Sequence, residues 1–276
     1  MACGSMDLAA SENNMRHINF WSWLWIIIGA IYFFVPLIAT LLFSLQAKRD
    51  ELGFTAYVNV LSSPAFFNSF SFSFWTAVTT ITISALLIVP TAYWVQLRLP
   101  RLRPVIDFIT LLPFVVPAVV LVFGLIRTYN RTPLTDSRQG LYVLLVGSYV
   151  MLSIPYMYRA IDTGLRAIDV RALTEAAQSL GAGWFTIMTR VIFPNVYIAL
   201  LSGAFITFAI VMGEFTIAFL LAQPAFGPYI SLLSSSKVYE PSALAIISFG
   251  LTWASIGVVQ WISQSFSGQS QIAGPR

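Results

Sequence analysis

An all-α polytopic membrane protein with six transmembrane helices is the fold class this sequence predicts, and three observations predict it. Of 276 residues, 58% are hydrophobic and only 9% charged, far more apolar than an ordinary soluble domain. Six apolar stretches recur, each of about the length that crosses a hydrocarbon core of about 30 Å at roughly 1.5 Å per residue. The polar residues collect between them, and the long interruption between the fourth and fifth stretches carries a spaced pattern of its own.

Residues 1–20 are polar, with Arg16 and His17 next to the first apolar run, and read as an inner tail. Trp21–Leu45 carries no charge, is too long for the apolar core of a signal peptide, and is followed by no small-residue cleavage site. It is the first span, bent near Pro36. From Lys48 to Ser71 the chain reads as a polar and aromatic loop. Phe66, Phe67 and Phe70 cluster there as an interfacial segment, because a half-wet ring favours the membrane boundary. Phe72–Leu97 is the second span, and Arg98, Arg101 and Arg103 put the following turn, punctuated by Pro100 and Pro104, on the inner side.

Val105–Ile126 is the third span, interrupted by Pro113 and Pro117. The plain reading of that pair is a packing kink that neighbouring helices satisfy; the sharper one is a flexible point. Arg127–Gly140 is a short outer loop, Leu141–Tyr158 the fourth span, and Arg159 marks its inner end. Val196–Leu221 is the fifth span and holds Glu214. Ala222–Ser242 forms the last outer loop, Ala243–Ile262 the sixth span, and a polar tail, 266–276, ends at Arg276. With both termini inside, nine of the 15 Lys and Arg fall on inner segments and six on outer loops, a bias in the expected direction.

The same residues exclude several function classes. A net charge of +4 arises from basic residues scattered over loops, with no stripe to follow a phosphate backbone, so no nucleic-acid partner is expected. Cys3 is the sole cysteine and His17 the sole histidine, which leaves no internal disulfide and no metal site. No hydrophobic stretch precedes Cys3 to support lipid attachment. Neither a G-x-x-x-x-G-K-[ST] loop nor a Ser/His/Asp set occurs, so no catalytic residue is assigned.

The interruption between the fourth and fifth spans reads DVRALTEAAQSLGAGWFTIMTRVIFP from Asp169 to Pro194. Leu173, Ala176, Ala177 and Leu180 fall at i, i+3, i+4 and i+7 and predict the apolar face of a short helix, with Arg171, Glu175, Gln178 and Ser179 on the remainder. Asp169 is placed to cap it, Gly181 to end it in a left-handed conformation, and Gly183 to loosen the turn. A second short helix can run from Trp184 to Val191 before Pro194 redirects the chain.

The spacing Glu175-Ala176-Ala177, three residues, Gly181, nine residues, then Val191-Ile192-Phe193-Pro194 resembles the EAA loop of permease subunits in binding-protein-dependent type I ABC importers. The family pattern closes on Ile-x-Leu-Pro, and Val191 and Phe193 keep those two positions apolar. The order of spans from about Trp21 to Ile262 is similar as well, nearest in layout to the spermidine/putrescine permease group. This resemblance implies a 21–265 permease domain whose 160–194 segment is a cytoplasmic coupling loop. It implies that Asp169–Trp184 docks in a cleft on an ATPase, with Asp169, Leu173, Glu175, Ala176, Ala177, Leu180, Gly181 and Pro194 forming or shaping the contact.

The implied partners are a cytoplasmic ATP-binding subunit dimer, a second permease subunit, homologous or identical, and an extracytoplasmic substrate-binding protein. ATP and Mg would be held by the ATPase, with no cofactor in this chain. The implied location is the bacterial inner membrane, with many passes and both termini cytoplasmic, and the implied function is half of an ATP-driven translocation pathway for a small solute.

Glu214, in Met212-Gly213-Glu214-Phe215-Thr216, is the acid set deepest in an apolar run. A carboxylate at membrane depth is costly and marks a functional candidate. Three readings compete: a contact for a cationic substrate, a structural anchor holding a helix bend, or a protonated bystander. Related permeases for sulfate, molybdate, thiamine and iron carry a similar Gly-Glu-Phe or Gly-Glu-Tyr stretch, which favours the anchor. The overall layout and this lone acid lean toward a polyamine as cargo, with iron, thiamine, organophosphonate, sulfate and molybdate as rivals. From another class, an ion-gradient-driven secondary transporter would use Glu214 as its ion site.

Overall fold

The protein, seen in a computed structural model, is described over residues 20–47 and 52–270, with side chains over 23–47 and 52–254. The tails with Cys3, Arg16, His17 and Arg276, and the loop residues 48–51, lie outside the described residues. α1 spans Phe20–Leu45, α2 Thr55–Leu61 and α3 Pro64–Arg98. A 3-10 turn at Pro100–Leu102 leads into α4 (Arg103–Thr110), α5 (Leu112–Val115) and α6 (Ala118–Tyr129). Then come α7 (Pro133–Asp136), α8 (Arg138–Arg166), α9 (Val170–Ser179) and α10 (Trp184–Thr186). A π-helical turn, Ile187–Ile192, joins α11 (Phe193–Gly213), and α12 (Thr216–Leu220), α13 (Phe226–Ser236) and α14 (Glu240–Ser270) complete the fold.

Among the described residues, four helical stretches are long and apolar enough to cross a membrane: Trp23–Leu45, Pro64–Arg98, Arg138–Arg166 and Trp184–Gly213. A bent pair, Pro100–Val115 with Ala118–Tyr129, makes a fifth if taken as one span. The sixth expected span falls within α14, of which the side chains beyond 254 are outside the described ones.

α3, α8 and α11 form the centre because small residues let their backbones meet. A Cβ at Gly164 of α8 would overlap the Ala199 Cβ of α11, and one at Gly203 would lie 2.8 Å from Met157 Sδ and 3.2 Å from Ala160 Cβ. Ala160 and Gly164 thus face Ala199 and Gly203, a small residue every fourth position on both helices, which is how helices associate where lipid supplies no hydrophobic drive. α3 contributes the buried Ser73, Thr76, Thr80 and Ser84, and Ser84 Oγ lies 2.6 Å from Ser153 Oγ of α8. Two buried clusters result. One joins Tyr93, Met157, Ile161 and Leu165 to Val170, Ile187 and Ile192; the other joins Leu145, Tyr149 and Val211 to Ile217 and Leu221.

Several expectations are corrected. The 48–71 stretch is no simple interfacial loop: α2 lies in it, and α3 begins at Pro64, so Phe66 and Phe70 belong to the helix. Phe66 is buried and stacks on Phe70, and both rings pack edge-on to Phe226 of α13. The third span turns through 92° instead of kinking. Val116, pushed into an extended conformation by the ring of Pro117, and Pro117 itself interrupt the helix there. The fourth helix continues through Pro155 and past Tyr158 to Arg166. Pro194 does not redirect the chain: the wider turn at Ile187–Ile192 precedes it, Asn195 Nδ2 donates to the Val191 carbonyl at 2.7 Å, and the helix continues into α11.

Candidate functional site

The loop between α8 and α11 is anchored at both ends. Asp169 Oδ1 accepts from Ala172 N at 3.0 Å at the start of α9. At the other end Gly181, at φ +78°, closes a Schellman turn in which Ala182 N donates to Ala177 O at 3.0 Å and Gly181 N to Gln178 O at 2.9 Å. The buried face of α9 is not the expected one. Val170 and Thr174 are inside, Leu173 and Ala177 are half-buried, and Ala176 and Leu180 are exposed, Leu180 at 89%. The helix has turned because Thr174 can satisfy its hydroxyl locally, donating to Val170 O at 2.6 Å, and still lie 3.2 Å from Tyr93 OH of α3. Ala176, Leu180, Trp184 and Phe185 are left as an apolar outer surface. Glu175 borders it and meets Arg171 Nε at 3.1 Å, an exposed pair of small energetic weight.

Behind the loop lies an ion cluster that the span pattern hides. Asp162, 8% exposed, receives Arg103 Nη2 at 2.6 and 2.8 Å and Arg166 Nη2 at 2.8 Å. It ties the start of α4, just after the turn that follows α3, to the end of α8. Only its position four residues before Arg166 hinted at it in the sequence, since Arg103 is remote in the chain.

Glu214 sits at a break and not in a continuous helix. α11 ends at Gly213, Glu214 is extended, and its carboxylate caps α12: Ile217 N donates to both oxygens at 3.0 Å, Ala218 N to Oε2 at 3.3 Å, and Tyr149 OH to Oε2 at 3.2 Å. Gly227 admits the α13 turn against this break, where a Cβ would stand 2.7 Å from the Glu214 carbonyl oxygen. Ser73 of α3 accepts from Phe226 N at 2.8 Å, fixing the same turn from the other side.

Between α5, the C-terminal half of α8 and α11 opens a cavity of about 600 Å³. Leu111, Phe114, Ala160, Gly164, Ile198 and Ile206 make its walls apolar, and Arg159, Thr163, Asn195 and Ser202 interrupt them. Glu214 does not line it.

The profile of the family described as binding-protein-dependent transport system inner membrane component matches residues 88–267, from the C-terminal third of α3 into α14. The chain belongs to that family. It is 26% identical over 255 residues to a sulfate transport system permease protein of Synechocystis sp., covering 86% of this chain and 85% of the relative. It is 24% identical over 200 residues to a spermidine/putrescine transport system permease protein of Escherichia coli K12, covering 71% and 74%. A chain of a bacterial ABC transporter involved in the import of the acidic polysaccharide alginate superposes with a TM-score of 0.62 at 16% identity, covering 89% of this chain and 93% of that one, a likeness of fold. This inner membrane component is therefore an ABC importer permease subunit, and the α9 loop lies inside the matched segment.

Proposed function

We propose that this permease forms half of the translocation pathway of an ATP-driven importer, moved through the α9 loop by a cytoplasmic ATPase dimer that holds ATP and Mg. The observation that carries the reading is the loop's two-sided build. Val170 and Thr174 root it in the core of α3 and α8, while Ala176, Leu180, Trp184 and Phe185 face outward with Glu175 beside them. A helix held this way transmits a push to the spans rather than bending under it. A second permease subunit completes the pathway, and a substrate-binding protein delivers the solute from outside, with both termini of this chain in the cytoplasm. ATP binding favours one access state and product release the other, by differential affinity.

For the cargo, a polyamine finds support in the spermidine/putrescine relative. The argument from Glu214 weakens, because its carboxylate is already engaged by Tyr149, Ile217 and Ala218. A charged solute is what the sulfate, spermidine/putrescine and alginate systems named above have in common. The test is affinity purification of the full chain from its native membrane in mild detergent, with mass spectrometry of what accompanies it. Co-purification of a subunit with a phosphate-binding loop and of a second permease supports the reading. Repeated isolation without an ATPase, after crosslinking as well, overturns it and favours gradient-driven transport.

A further inference from the structure

The cavity between α5, α8 and α11 is bordered by a charge that no described residue pairs with. Among the residues that line it, Arg159 alone is charged, and its guanidinium has no ion-pair or hydrogen-bond partner among the described residues. The nearest acids, Asp107 and Asp162, line a smaller adjoining pocket of about 110 Å³ that shares Arg159 with the cavity. Asp162 is taken up by Arg103 and Arg166. Counting Asp107 against the remaining charge, three arginines face two carboxylates, and the surplus positive charge lies at the cavity's edge. Around it the polar groups are short: Thr163, Asn195 and Ser202. The rest of the wall is largely apolar, while Arg159, Thr163, Asn195 and Ser202 are exposed, so the charge acts on a solute that enters from solvent.

We propose that this cavity is the inner resting place of the translocated solute and that Arg159 makes it selective for small anions. The proposal rests on the importer reading and adds to it the sign of the cargo's charge and the residue that sets it. A polyamine would meet an unpaired arginine here and no free carboxylate on the cavity wall. An oxyanion would accept from the guanidinium fork and from the second N–H of Asn195 Nδ2, whose first goes to the Val191 carbonyl; the Thr163 and Ser202 hydroxyls donate within their own helices.

Ser202 gives a direct reading of this field. It lines the cavity, is exposed, and lies on α11 across from Arg159 on α8. In the full chain with Cys3→Ser, the only native thiol is gone, and Ser202→Cys places one in the cavity. Permeabilised native membranes are treated with an anionic sulfonatoethyl or a cationic trimethylammonioethyl methanethiosulfonate. Rates are read by mass on the purified chain and scaled to each reagent's rate on free cysteine. The expected result is about a tenfold preference for the anionic reagent, from one unit charge at close range, falling to near unity in Arg159→Gln and kept in Arg159→Lys.

Equal rates, a cationic preference, or an introduced thiol that neither reagent modifies overturns the proposal. Uptake in vesicles carrying the whole complex separates it from the importer reading. Sulfate or molybdate uptake that is ATP-dependent, lost in Arg159→Gln and kept in Arg159→Lys, supports both. ATP-dependent spermidine uptake indifferent to Arg159→Gln overturns anion selectivity and leaves the importer standing. Uptake indifferent to ATP overturns the importer reading itself.

Discussion

Glu214 shows how one side chain does two jobs at a helix break. Its two oxygens take the first free N–H groups of α12, which a short helix cannot satisfy itself, and the Tyr149 hydroxyl from α8. Glu214→Ala leaves all of these donors unmatched, and we expect a loss of about 1–3 kcal/mol, seen as a lower melting temperature in detergent. Glu214→Gln keeps an acceptor and should lose less. A few residues on, Ala222 adopts φ 52° to close the turn after α12, a conformation only glycine adopts without strain. Ala222 is exposed, so Ala222→Gly relieves that strain without opening a cavity. It should stabilise the protein by roughly 0.5–1 kcal/mol, and an unchanged or lower melting temperature would count against this account of the turn.

At the scale of elements, the α8–α11 contact and the Asp162 cluster hold the C-terminal half of α8 to its neighbours. Gly203 leaves no room for a side chain against Met157 and Ala160. Gly203→Leu therefore pries the helices apart, at a cost of about 1–3 kcal/mol or more, measurable as loss of folded protein on size exclusion. Asp162→Asn removes the charge that two arginines share. Because Arg166 is half exposed and can turn to water, most of the cost falls on Arg103, and about 1–3 kcal/mol is expected. Trypsin sensitivity of the 98–103 turn would report the release directly. The 92° break in the third span belongs to this scale too. The proline pair was visible in the sequence, but the size of the turn was not, because a proline sets its own φ and restricts the residue before it while neighbouring helices choose the direction taken afterwards.

For the whole molecule, the proposed coupling role rests on the rooted α9 loop. Glu175→Lys reverses one charge on its outer rim, where the side chain is exposed and the fold does not depend on it. Normal membrane levels with ATP-dependent uptake reduced at least tenfold are the expected outcome. Full uptake in that variant would remove the coupling role from this helix, while a gradient-driven carrier would be indifferent to the change.

Legible in the chain alone was the class of molecule: apolar runs of bilayer length, the spaced Glu175-Ala176-Ala177…Gly181…Pro194 pattern, and the local caps at Asp169 and Gly181. These can be read because they depend on composition or on partners within a few residues. Packing was needed to choose the buried face of α9, since Thr174 reaches Tyr93, 81 residues away, and Leu180 is left outside. Packing likewise made Glu214 a helix cap, brought Asp162 to Arg103, and set Arg159 at the border of a cavity. Each of those outcomes joins residues distant in the chain, and hydropathy carries no record of which polar groups meet when apolar helices pack.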